Sequence, residues 1–421
     1  MTSLLHELTW RGLLQDQTPG LEERLARGPV AGYVGFDPTA PSLQVGNLVP
    51  IMLLAHLQRS GGKSIVVVGG GTGMIGDPSG KRDERPLLAP AQVRDQAERQ
   101  RRQLERFLDF SPGPRGAELA DNTEWLGSVD LLGFLRDVGK HFTLSYMLQK
   151  ESVKNRLDSG ISYTEFSYML LQAYDFLHLF RTRHCELQLG GSDQWGNITA
   201  GIELIRRVEG AEAHGLSAPL LTTSGGAKFG KSEAGAVWLD PELTSAYRFY
   251  QFWLNADDRD VEAYLRAFTF KGRDEIAGLM ARHVAGPEHR IPQRELAGDM
   301  TGRVHGDIAR DRAVEASRIA FGELDPRKAA AGVWQMLATE LPCAPLPAGA
   351  TETTSVVDLV SSTGVVKSKG EARRLIEQGG LYLNGERVSG GEAVAGPALA
   401  GGHYWVRSGK KNQYILRPAR S

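Results

Sequence analysis

The sequence is short of the features that mark secreted, membrane-spanning and metal-binding proteins. Its two cysteines, Cys185 and Cys343, lie far apart and form neither a metal-binding spacing nor a disulfide framework. No apolar run reaches the roughly 18 residues that a membrane span needs, and residues 1–18 lack the basic start and apolar core of a signal peptide. Scarce cysteine favours a reducing compartment, so we expect a cytoplasmic protein that holds no metal of its own.

Two glycine-rich stretches look like phosphate-binding loops but are incomplete. GTGMIG, residues 71–76, fits the dinucleotide pattern G-x-G-x-x-G. That pattern also needs a second strand ending in an acidic residue about twenty residues later, and the sequence there, VRDQAERQRRQL, predicts a helix. DPSGKR has Ile75 and Arg82 where a Walker loop needs glycine and Ser/Thr. A nicotinamide or flavin cofactor is therefore disfavoured, and a glycine-rich turn near a ligand remains.

The net charge of -1 conceals an uneven distribution along the chain. Residues 361–421 carry ten Lys and Arg against four Glu, whereas the rest of the chain carries 39 basic and 46 acidic residues. A basic module on an acidic body suits a polyanionic partner such as nucleic acid. A basic surface that is merely solvated explains the same composition, so charge alone leaves both interpretations open.

With 421 residues, 41% of them hydrophobic, the chain is long enough for two or three globular domains. The strand VAGYVGF leads into a helix predicted over 43–60, and further strands and helices alternate after it. This alternation predicts an α/β fold with a parallel sheet and helical crossovers. From about Pro241 the strand signals fade and helices dominate. The predicted divisions are residues 1–222, 223–340, a proline-rich linker at 341–354, and 355–421.

Two stretches, GFDPTAPSLQVGNL at 35–48 and KFGKS at 228–232, are similar to the signatures of class I aminoacyl-tRNA synthetases. In GFDPTAPSLQVGNL, residues 35–48, Gln44-Val45-Gly46-Asn47 stands after a strand, where that class has a His-x-Gly-His motif. KFGKS, residues 228–232, resembles the second, lysine-rich signature of the class. Four glycines in the surrounding SGGAKFGKSEAG suit a loop that closes over a ligand.

Three further stretches narrow the resemblance to tyrosyl-tRNA synthetases of the bacterial type. YTEFSYMLLQAYDF at 163–176 and GGSDQWGN at 190–197 resemble the tyrosine-binding segments of those enzymes. VKSKGEARRLIEQGGLYLNGERV at 366–388 resembles the S4-type RNA-binding module that ends them. The resemblance covers roughly the whole chain. It implies a Rossmann-like catalytic domain, then an α-helical domain on the anticodon side that begins with the lysine-rich loop, and a small α+β S4-like domain.

The resemblance implies an enzyme that ligates L-tyrosine to its tRNA in two steps. The tyrosine carboxylate attacks the α-phosphorus of ATP, giving tyrosyl-adenylate and pyrophosphate, and a ribose hydroxyl of the tRNA then takes the tyrosyl group. No protein nucleophile is needed, since phosphoryl transfer depends mainly on positioning and on neutralising charge. Magnesium is expected to arrive with ATP. By resemblance, the residues that assist this step are Lys81, Arg85, Lys228, Lys231, Thr39 and Gln44.

ATP is expected at the N-terminal end of the first long helix, where unpaired N–H groups and the helix dipole favour phosphate. Both histidines of the first signature are absent. Gln44 can still donate a hydrogen bond but cannot become cationic, and Asn47 can still reach ribose or phosphate oxygens. Val34 stands where some relatives have a polar side chain. We expect these three departures to affect the reaction rate more than the assignment to the family. The implied ATP-binding residues are Asp37, Gly46, Asn47, Gly191, Asp193 and Lys231.

Tyrosine recognition requires a donor and an acceptor for the phenol at the end of an apolar slot, and acceptors for the α-ammonium group. By resemblance, Tyr33 and Asp175 bond the phenol hydroxyl. Tyr168, Gln172 and Asp175 are spaced i, i+4 and i+7, so one helix face presents all three. The implied tyrosine-binding residues are Tyr33, Asp77, Tyr168, Gln172, Asp175, Gln194 and Asn122.

The resemblance also implies partners. A homodimer is expected, with the apolar segment 131–148 as a candidate interface. tRNA is expected to contact Lys367, Lys369, Arg373 and Arg374 at the head of the helix in the basic module. Two alternatives stay open. One is a tryptophanyl-tRNA synthetase, which would not need the Tyr33 and Asp175 pair, and the other is a non-catalytic RNA-binding protein on a synthetase scaffold.

Overall fold

The chain forms two compact units. A computed structural model describes residues 3–77, 79, 89–150, 153–154, 160–227, 229–232, 235–409 and 412–418, with only the backbone at 90, 231 and 232. The first unit comprises Met1–Leu243 and Ala256–Leu296, and the second comprises Thr244–Asn255 and Ala297–Ser421. Across the described ranges, no helix is both long and apolar enough to cross a membrane.

Six strands in the described part of the first unit form one sheet. They are β1 (Asp16–Gln17), β2 (Ala31–Phe36), β3 (Lys63–Val68), β4 (Glu118–Asp121), β5 (Cys185–Gly191) and β6 (His214–Ala218). Their order is β1-β6-β5-β2-β3-β4, and every neighbouring pair except β1–β6 is parallel. Parallel neighbours need crossover connections, which the helices between them supply. The predicted α/β fold with a parallel sheet is confirmed.

Helices cover both faces of this sheet at β2. A Cβ atom at Gly32 would lie only 2.8 Å from Leu57, on the helix Leu48–Arg59. The next residue, Tyr33, points the other way and packs on Phe176 of the helix Tyr163–Arg183. Successive strand residues point to opposite faces, so the two helices lie on opposite sides of the sheet.

The strand order changes direction at β2. From β2 the chain runs outward through β3 and β4, and it later returns to β5 on the other side of β2. In open parallel sheets, ligands bind at such a switch point, outside the carboxyl ends of the strands. Asp37 follows β2 directly, and Gly191 ends β5, so the fold brings two of the predicted site segments to this crevice.

The remaining elements of the first unit are helices and one short hairpin. β7 (Lys231–Ser232) and β8 (Gly235–Ala236) pair antiparallel in the lysine-rich loop. The described helices are Leu4–Arg11, Leu21–Ala26, Leu48–Arg59, Pro90–Leu104, Thr123–Leu126, Leu131–Asp137, Leu144–Leu148, Tyr163–Arg183, Trp195–Glu209, Val261–Phe268 and Arg273–Ala285. A further helix, Ile291–His305, has residues in both units.

The second unit combines helices with a small sheet. Its strands are β9 (Cys343–Pro345), β10 (Leu381–Leu383), β11 (Glu386–Arg387), β12 (Tyr404–Ser408) and β13 (Asn412–Arg417), in the order β11-β10-β12-β13-β9. Its further helices are Ala246–Leu254, Asp307–Ala320, Ala331–Glu340, Val356–Ser362 and Lys369–Glu377. An apolar cluster that includes Val360, Leu381 and Val406 forms the core of the C-terminal part.

Three elements differ from the sequence prediction. The helix predicted over 43–60 begins at Leu48, because the preceding backbone pairs with the segment 237–239 and cannot join the helix. β6, whose five residues are all buried, was not predicted, since it shows no alternation of polar and apolar residues. Part of the predicted linker, Cys343–Pro345, is a strand that pairs with β13.

Candidate active site

Tyr33 presents a buried phenol hydroxyl at the central crevice of the first sheet. Its ring lies 5.4 Å from that of Phe176, centroid to centroid, and its side chain is 1% exposed. No hydrogen-bond partner for Tyr33 Oη is found among the described residues. Burial, and then the charge of Asp175, raise the pKa of this phenol well above its ordinary value, so it stays protonated. A buried hydroxyl without a partner is costly, and a polar ligand atom would relieve that cost.

Asp175 lies buried on the helix Tyr163–Arg183 and is held by two side-chain donors. Asn122 Nδ2 donates to Oδ2 at 3.0 Å, and Trp125 Nε1 donates to Oδ1 at 2.7 Å. The Trp125 indole also stacks on His178, with centroids 4.5 Å apart. Burial raises the pKa of Asp175 to about 7, against the two hydrogen bonds that lower it. The carboxyl group is thus fixed in orientation and changes charge near neutral pH.

A chain of hydrogen bonds connects Asp175 to the end of β2. Asn122 Nδ2 also donates to Thr72 Oγ1 at 2.9 Å, and Thr72 Oγ1 donates to Asp37 Oδ1 at 2.8 Å. Asp37 Oδ2 accepts from Tyr168 Oη at 2.8 Å. The hydroxyl hydrogen of Tyr168 is therefore committed to Asp37, which leaves the oxygen of Tyr168 as an acceptor for a ligand.

Gly69, at the end of β3, makes room for this chain of hydrogen bonds. A Cβ atom at Gly69 would lie 2.1 Å from Asp37 Oδ1 and 2.5 Å from Thr72 Oγ1. No side chain fits there while the Asp37–Thr72 hydrogen bond is kept. The glycine-rich stretch after β3 thus serves the close approach of a carboxylate to the backbone.

A second polar cluster lies around Asp77. Gln194 Nε2 donates to Asp77 Oδ2 at 2.6 Å, and Gln172 Nε2 donates to Gln194 Oε1 at 3.2 Å. Asn197 Nδ2 lies within hydrogen-bond distance of the Oε1 atoms of both glutamines, at 3.1 and 3.2 Å. Within the described residues, no Lys or Arg forms an ion pair with Asp77. The described side chains of the cluster include oxygen acceptors and a carboxylate, which suits an ammonium group.

The structure brings the two signature segments together. Val45 N donates to Val237 O at 3.0 Å, next to the lysine-rich loop. A Cβ atom at Gly230 would lie 3.2 Å from Gly46 N, so the two backbones nearly touch. Lys231 follows directly as the first residue of β7. Gly46 itself is exposed and faces open space, because a Cβ atom there would meet nothing within 4 Å.

The remaining predicted ATP residues lie around the same sheet end. Asn47 Oδ1 accepts from the backbone N–H of Gln44 at 2.9 Å, in a turn that precedes the first long helix. Thr39 is half-buried, Gly191 ends β5, and Asp193 is exposed in the turn Ser192–Gln194. Lys81, Arg85 and Lys228 lie outside the described residues, as does the side chain of Lys231.

Comparison with protein-family models identifies the family to which this chain belongs. The model of "tRNA synthetases class I (W and Y)" matches residues 25–322, which is more than half of the chain. The chain belongs to this family of class I synthetases. A second model, "Tyrosine--tRNA ligase SYY-like C-terminal domain", matches residues 336–416.

Individual relatives of this synthetase cover its full length. The tyrosine–tRNA ligase of Anaeromyxobacter dehalogenans is 55% identical over 419 residues, which is 99% of this chain and 100% of that protein. That of Roseiflexus castenholzii is 49% identical over 428 residues, again 99% and 100% of the two chains. The crystal structure of a C-terminally truncated mitochondrial tyrosyl-tRNA synthetase from Aspergillus nidulans is also similar. It matches with a TM-score of 0.69 and 31% identity, covering 76% of this chain and 95% of that one.

Four polar side chains of the synthetase site were missed by the sequence prediction. Trp125 lies three residues after Asn122, a one-turn spacing that places both side chains at Asp175. Thr72 follows β3 within the glycine-rich stretch. Asn197 lies in the first turn of the helix Trp195–Glu209, four residues after Asp193. Gln188 gave the clearest missed signal: it is a polar residue inside a buried strand, 2% exposed, and its Oε1 has no partner among the described residues.

The predicted tRNA-binding residues of the synthetase lie in the second unit. Lys369 begins the helix Lys369–Glu377, and its Nζ pairs with Asp358 Oδ1 at 2.7 Å. Lys367 precedes the helix and is exposed, as are Arg373 and Arg374 on it. Neither arginine pairs with a carboxylate in the part of the chain that the structure describes. Their charge is available to a polyanion.

Proposed function

We propose that this chain catalyses the ATP-dependent ligation of L-tyrosine to tRNA(Tyr). The reaction passes through an enzyme-bound tyrosyl-adenylate and releases pyrophosphate and AMP. The observation that carries the proposal is the pair at the central crevice: the unpartnered hydroxyl of Tyr33 and the buried carboxyl of Asp175. A phenol hydroxyl both accepts and donates, so one substrate hydroxyl satisfies both residues. The names of the full-length relatives point to the same amino acid.

The same pair disfavours tryptophan as the substrate. An indole N–H donates but cannot accept. Tryptophan could therefore donate to Asp175, but it would leave the hydroxyl hydrogen of Tyr33 buried without an acceptor. Phenylalanine would leave both residues unsatisfied. Buried polar groups without partners cost about 1–3 kcal/mol each, so the pocket selects a phenol.

The α-ammonium group of tyrosine lies at the second polar cluster. Asp77 supplies a carboxylate, and Tyr168 and Gln172 supply further oxygen acceptors. Gln194 bridges this cluster toward the substrate carboxylate. Asn122 does not touch tyrosine directly in this proposal: it positions Asp175 through its Nδ2. These contacts orient the tyrosine carboxylate toward the ATP site.

ATP lies over the open backbone at Gly46, between the turn after β2 and the lysine-rich loop. Gln44, Asn47 and Thr39 donate to phosphate or ribose oxygens, with Asp37, Gly191 and Asp193 lining the nucleotide site. Magnesium arrives with ATP as part of the substrate, and the chain holds the pyrophosphate with the basic residues Lys81, Arg85, Lys228 and Lys231. Neutralising charge on the leaving oxygens is the main catalytic demand of this step.

The C-terminal module supplies the tRNA contact, through Lys367, Lys369, Arg373 and Arg374. In this proposal the catalytic segment is 1–222 and the anticodon-side segment is 223–340. The linker 341–354 joins the anticodon-side segment to the RNA-binding segment 355–421. A reducing, cytoplasmic setting fits the two free cysteines.

The enzyme acts as a homodimer whose interface includes the segment 131–148. Leu131, Leu132 and Leu144 of this segment are 72%, 77% and 68% exposed, and exposed apolar side chains in one region mark interaction surfaces. Leu132→Asp should convert a dimer into a monomer, as measured by analytical ultracentrifugation. A monomeric wild-type protein at micromolar concentration would contradict the dimer.

An ATP–pyrophosphate exchange assay with each amino acid in turn tests the function. Tyrosine should support exchange, whereas tryptophan and phenylalanine should not. Tryptophan-dependent exchange would instead assign the chain to the other branch of its family. Absence of exchange with every amino acid, together with retained tRNA binding, would make the chain an RNA-binding protein without catalytic activity.

A further inference from the structure

One face of the small sheet in the second unit is only half covered. Along β12, Tyr404 and Val406 point into the core of the C-terminal part. Trp405 points the other way and packs with Trp334, from the helix Ala331–Glu340, and with Ile415. The centroids of the two tryptophan rings are 6.3 Å apart. This helix therefore covers the outer face of the sheet around Trp405 and Ile415.

Beyond this helix, the same face carries four side chains in a row, one from each of four neighbouring strands; Arg387 is exposed, and Tyr382, Arg407 and Gln413 are half-buried. Tyr382 on β10 is the register partner of Arg387 on β11 and also of Arg407 on β12. Arg407 is in turn the partner of Gln413 on β13. Leu381 and Leu383 on either side of Tyr382 are core residues, so Tyr382 and its partners face outward. Neighbouring strands are about 4.8 Å apart, and the row spans roughly 14 Å.

Tyr382 and Arg407 of this row contact each other, and the two arginines of the row lack carboxylate partners among the described residues. The guanidinium carbon of Arg407 lies 4.3 Å from the centroid of the Tyr382 ring. Neither Arg407 nor Arg387 pairs with a carboxylate among the described residues, and no described strand residue on this face is acidic. Gln413 Oε1 accepts from Trp405 Nε1 at 3.1 Å. This hydrogen bond fixes the orientation of the Gln413 amide and leaves its NH2 group without a described partner.

The backbone turn before β10 continues this surface to the basic helix. Gly379 lies two residues beyond the helix Lys369–Glu377, with a φ of +67°. A Cβ atom at Gly379 would lie 1.4 Å from Arg387 Nη2, so the guanidinium of Arg387 lies flat against this turn. The turn that follows the basic helix thus lies against Arg387 at one end of the row.

We propose that this row, Arg387, Tyr382, Arg407 and Gln413, binds an unstacked nucleotide of the tRNA partner. The base stacks on the planar guanidinium of Arg407 and the ring of Tyr382, since RNA-binding proteins use such aromatic and arginine planes for splayed bases. Arg387 holds the adjacent phosphate, and the free NH2 group of Gln413 donates to a base edge. This inference rests on the proposed function for its partner, and it adds a second RNA contact to that of the basic helix.

The proposal separates two kinds of contact that respond differently to salt. Lysine and arginine contacts to phosphate release counterions, so their loss lowers the salt dependence of binding. Stacking does not release counterions. Tyr382→Leu in the full-length protein should therefore raise the Kd for tRNA(Tyr) about tenfold without changing the slope of log Kd against log salt. Tyr382→Phe keeps the ring and should bind like the wild type.

Two further variants complete the test. Arg407→Gln removes a stacking plane from the exposed face and should also raise the Kd, roughly fivefold. Arg318→Gln is the control: it removes one exposed charge of the same unit, paired with Glu323 and away from this row, and should leave the Kd unchanged. Tyrosine-dependent ATP–pyrophosphate exchange, which needs no tRNA, should stay at the wild-type rate in all four variants.

The outcomes are distinct. Weaker binding by Tyr382→Leu and Arg407→Gln, with Tyr382→Phe and the control unaffected, supports the row as a nucleotide site. Wild-type affinity in both Tyr382→Leu and Arg407→Gln overturns it, whatever the basic helix does. If Arg407→Gln lowers the salt slope by about one while Tyr382→Leu binds normally, the face is a phosphate contact and the stacking site is rejected. Lack of exchange in the wild type would instead reject the proposed function.

Discussion

The tyrosine pocket and the C-terminal module hold their polar groups in opposite ways. In the pocket, Asp175 is 3% exposed and receives hydrogen bonds from two side chains that are themselves buried. In the module, Arg373 and Arg374 are exposed and have no described carboxylate partner. In the pocket, hydrogen bonds hold the polar atoms in position before a ligand binds. In the module, the arginine side chains take up a fixed position only when a ligand binds.

This difference indicates how each region selects its ligand. A buried, pre-positioned pair discriminates through the cost of unsatisfied polar atoms, which is large and independent of salt. Exposed arginines act through long-range attraction and counterion release, which weaken as salt rises. In the first unit, by contrast, Arg206 and Arg207 both pair with Glu203. This paired set in the first unit therefore provides a comparison for the unpaired Arg373 and Arg374 of the module.

Asp175→Asn should have the largest effect and should be confined to the pocket. The amide would direct an NH2 group at the N–H donor of Asn122 or of Trp125, leaving buried donors without an acceptor. We expect kcat/KM for tyrosine in the exchange assay to fall about a thousandfold, or about 4 kcal/mol, with tRNA affinity unchanged. The exposed Asp257→Asn, away from the pocket and the proposed interface, is the matched control. A loss below tenfold would show that the buried carboxylate does not bind the substrate phenol.

The paired substitution Arg373→Gln/Arg374→Gln should do the reverse. We expect the Kd for tRNA to rise roughly ten- to thirtyfold, and the salt slope to fall by about two, while exchange is unaffected. Arg206→Gln/Arg207→Gln removes the same charge from a helix of the first unit and should leave the Kd unchanged. If both pairs weaken tRNA binding equally, the contrast between the regions is wrong.

Point variants are preferable to deleting 355–421, because that deletion would uncover Trp334, which packs on Trp405.

Trp125→Phe should shift the pH profile of the pocket. Its indole N–H lowers the pKa of Asp175, which burial raises to about 7. Without that donor the pKa rises further, so more of the carboxyl is neutral at neutral pH. We expect kcat/KM for tyrosine to fall about fivefold near pH 7 and to recover by about pH 9, since kcat/KM follows the ionisation of the free enzyme. An unchanged pH profile would mean that Asp175 does not titrate in this range.

Gln44→His should have the smallest effect of the four. Histidine at this position can donate to phosphate as glutamine does and can also carry a positive charge. We expect adenylate formation to stay active and to rise by about two- to threefold, measured by pre-steady-state exchange at neutral pH. Gln44→Ala provides the comparison without a donor. Complete loss of activity in Gln44→His would contradict the placement of Gln44 at the phosphates.

Much of this protein could be read from short-range patterns. Strands β2 and β3 are apolar segments followed by aspartate and glycine, β5 ends in two glycines, and the spacing of Tyr168, Gln172 and Asp175 places them on one helix face. These patterns predicted the parallel sheet, whereas the family resemblance supplied most of the polar residues expected at the crevice. Local alternation and helical spacing report on neighbours within one element, which is why they predicted elements better than contacts.

Contacts between distant segments were decided by the tertiary structure. Trp125 could not be assigned to Asp175 from the sequence, because fifty residues separate the two in the chain. The late start of the helix at Leu48 has the same origin, in backbone pairing with residues 237–239. The row on the small sheet likewise exists only once four strands are in register. The sequence determines what each side chain can do, and the folded backbone decides which side chains meet.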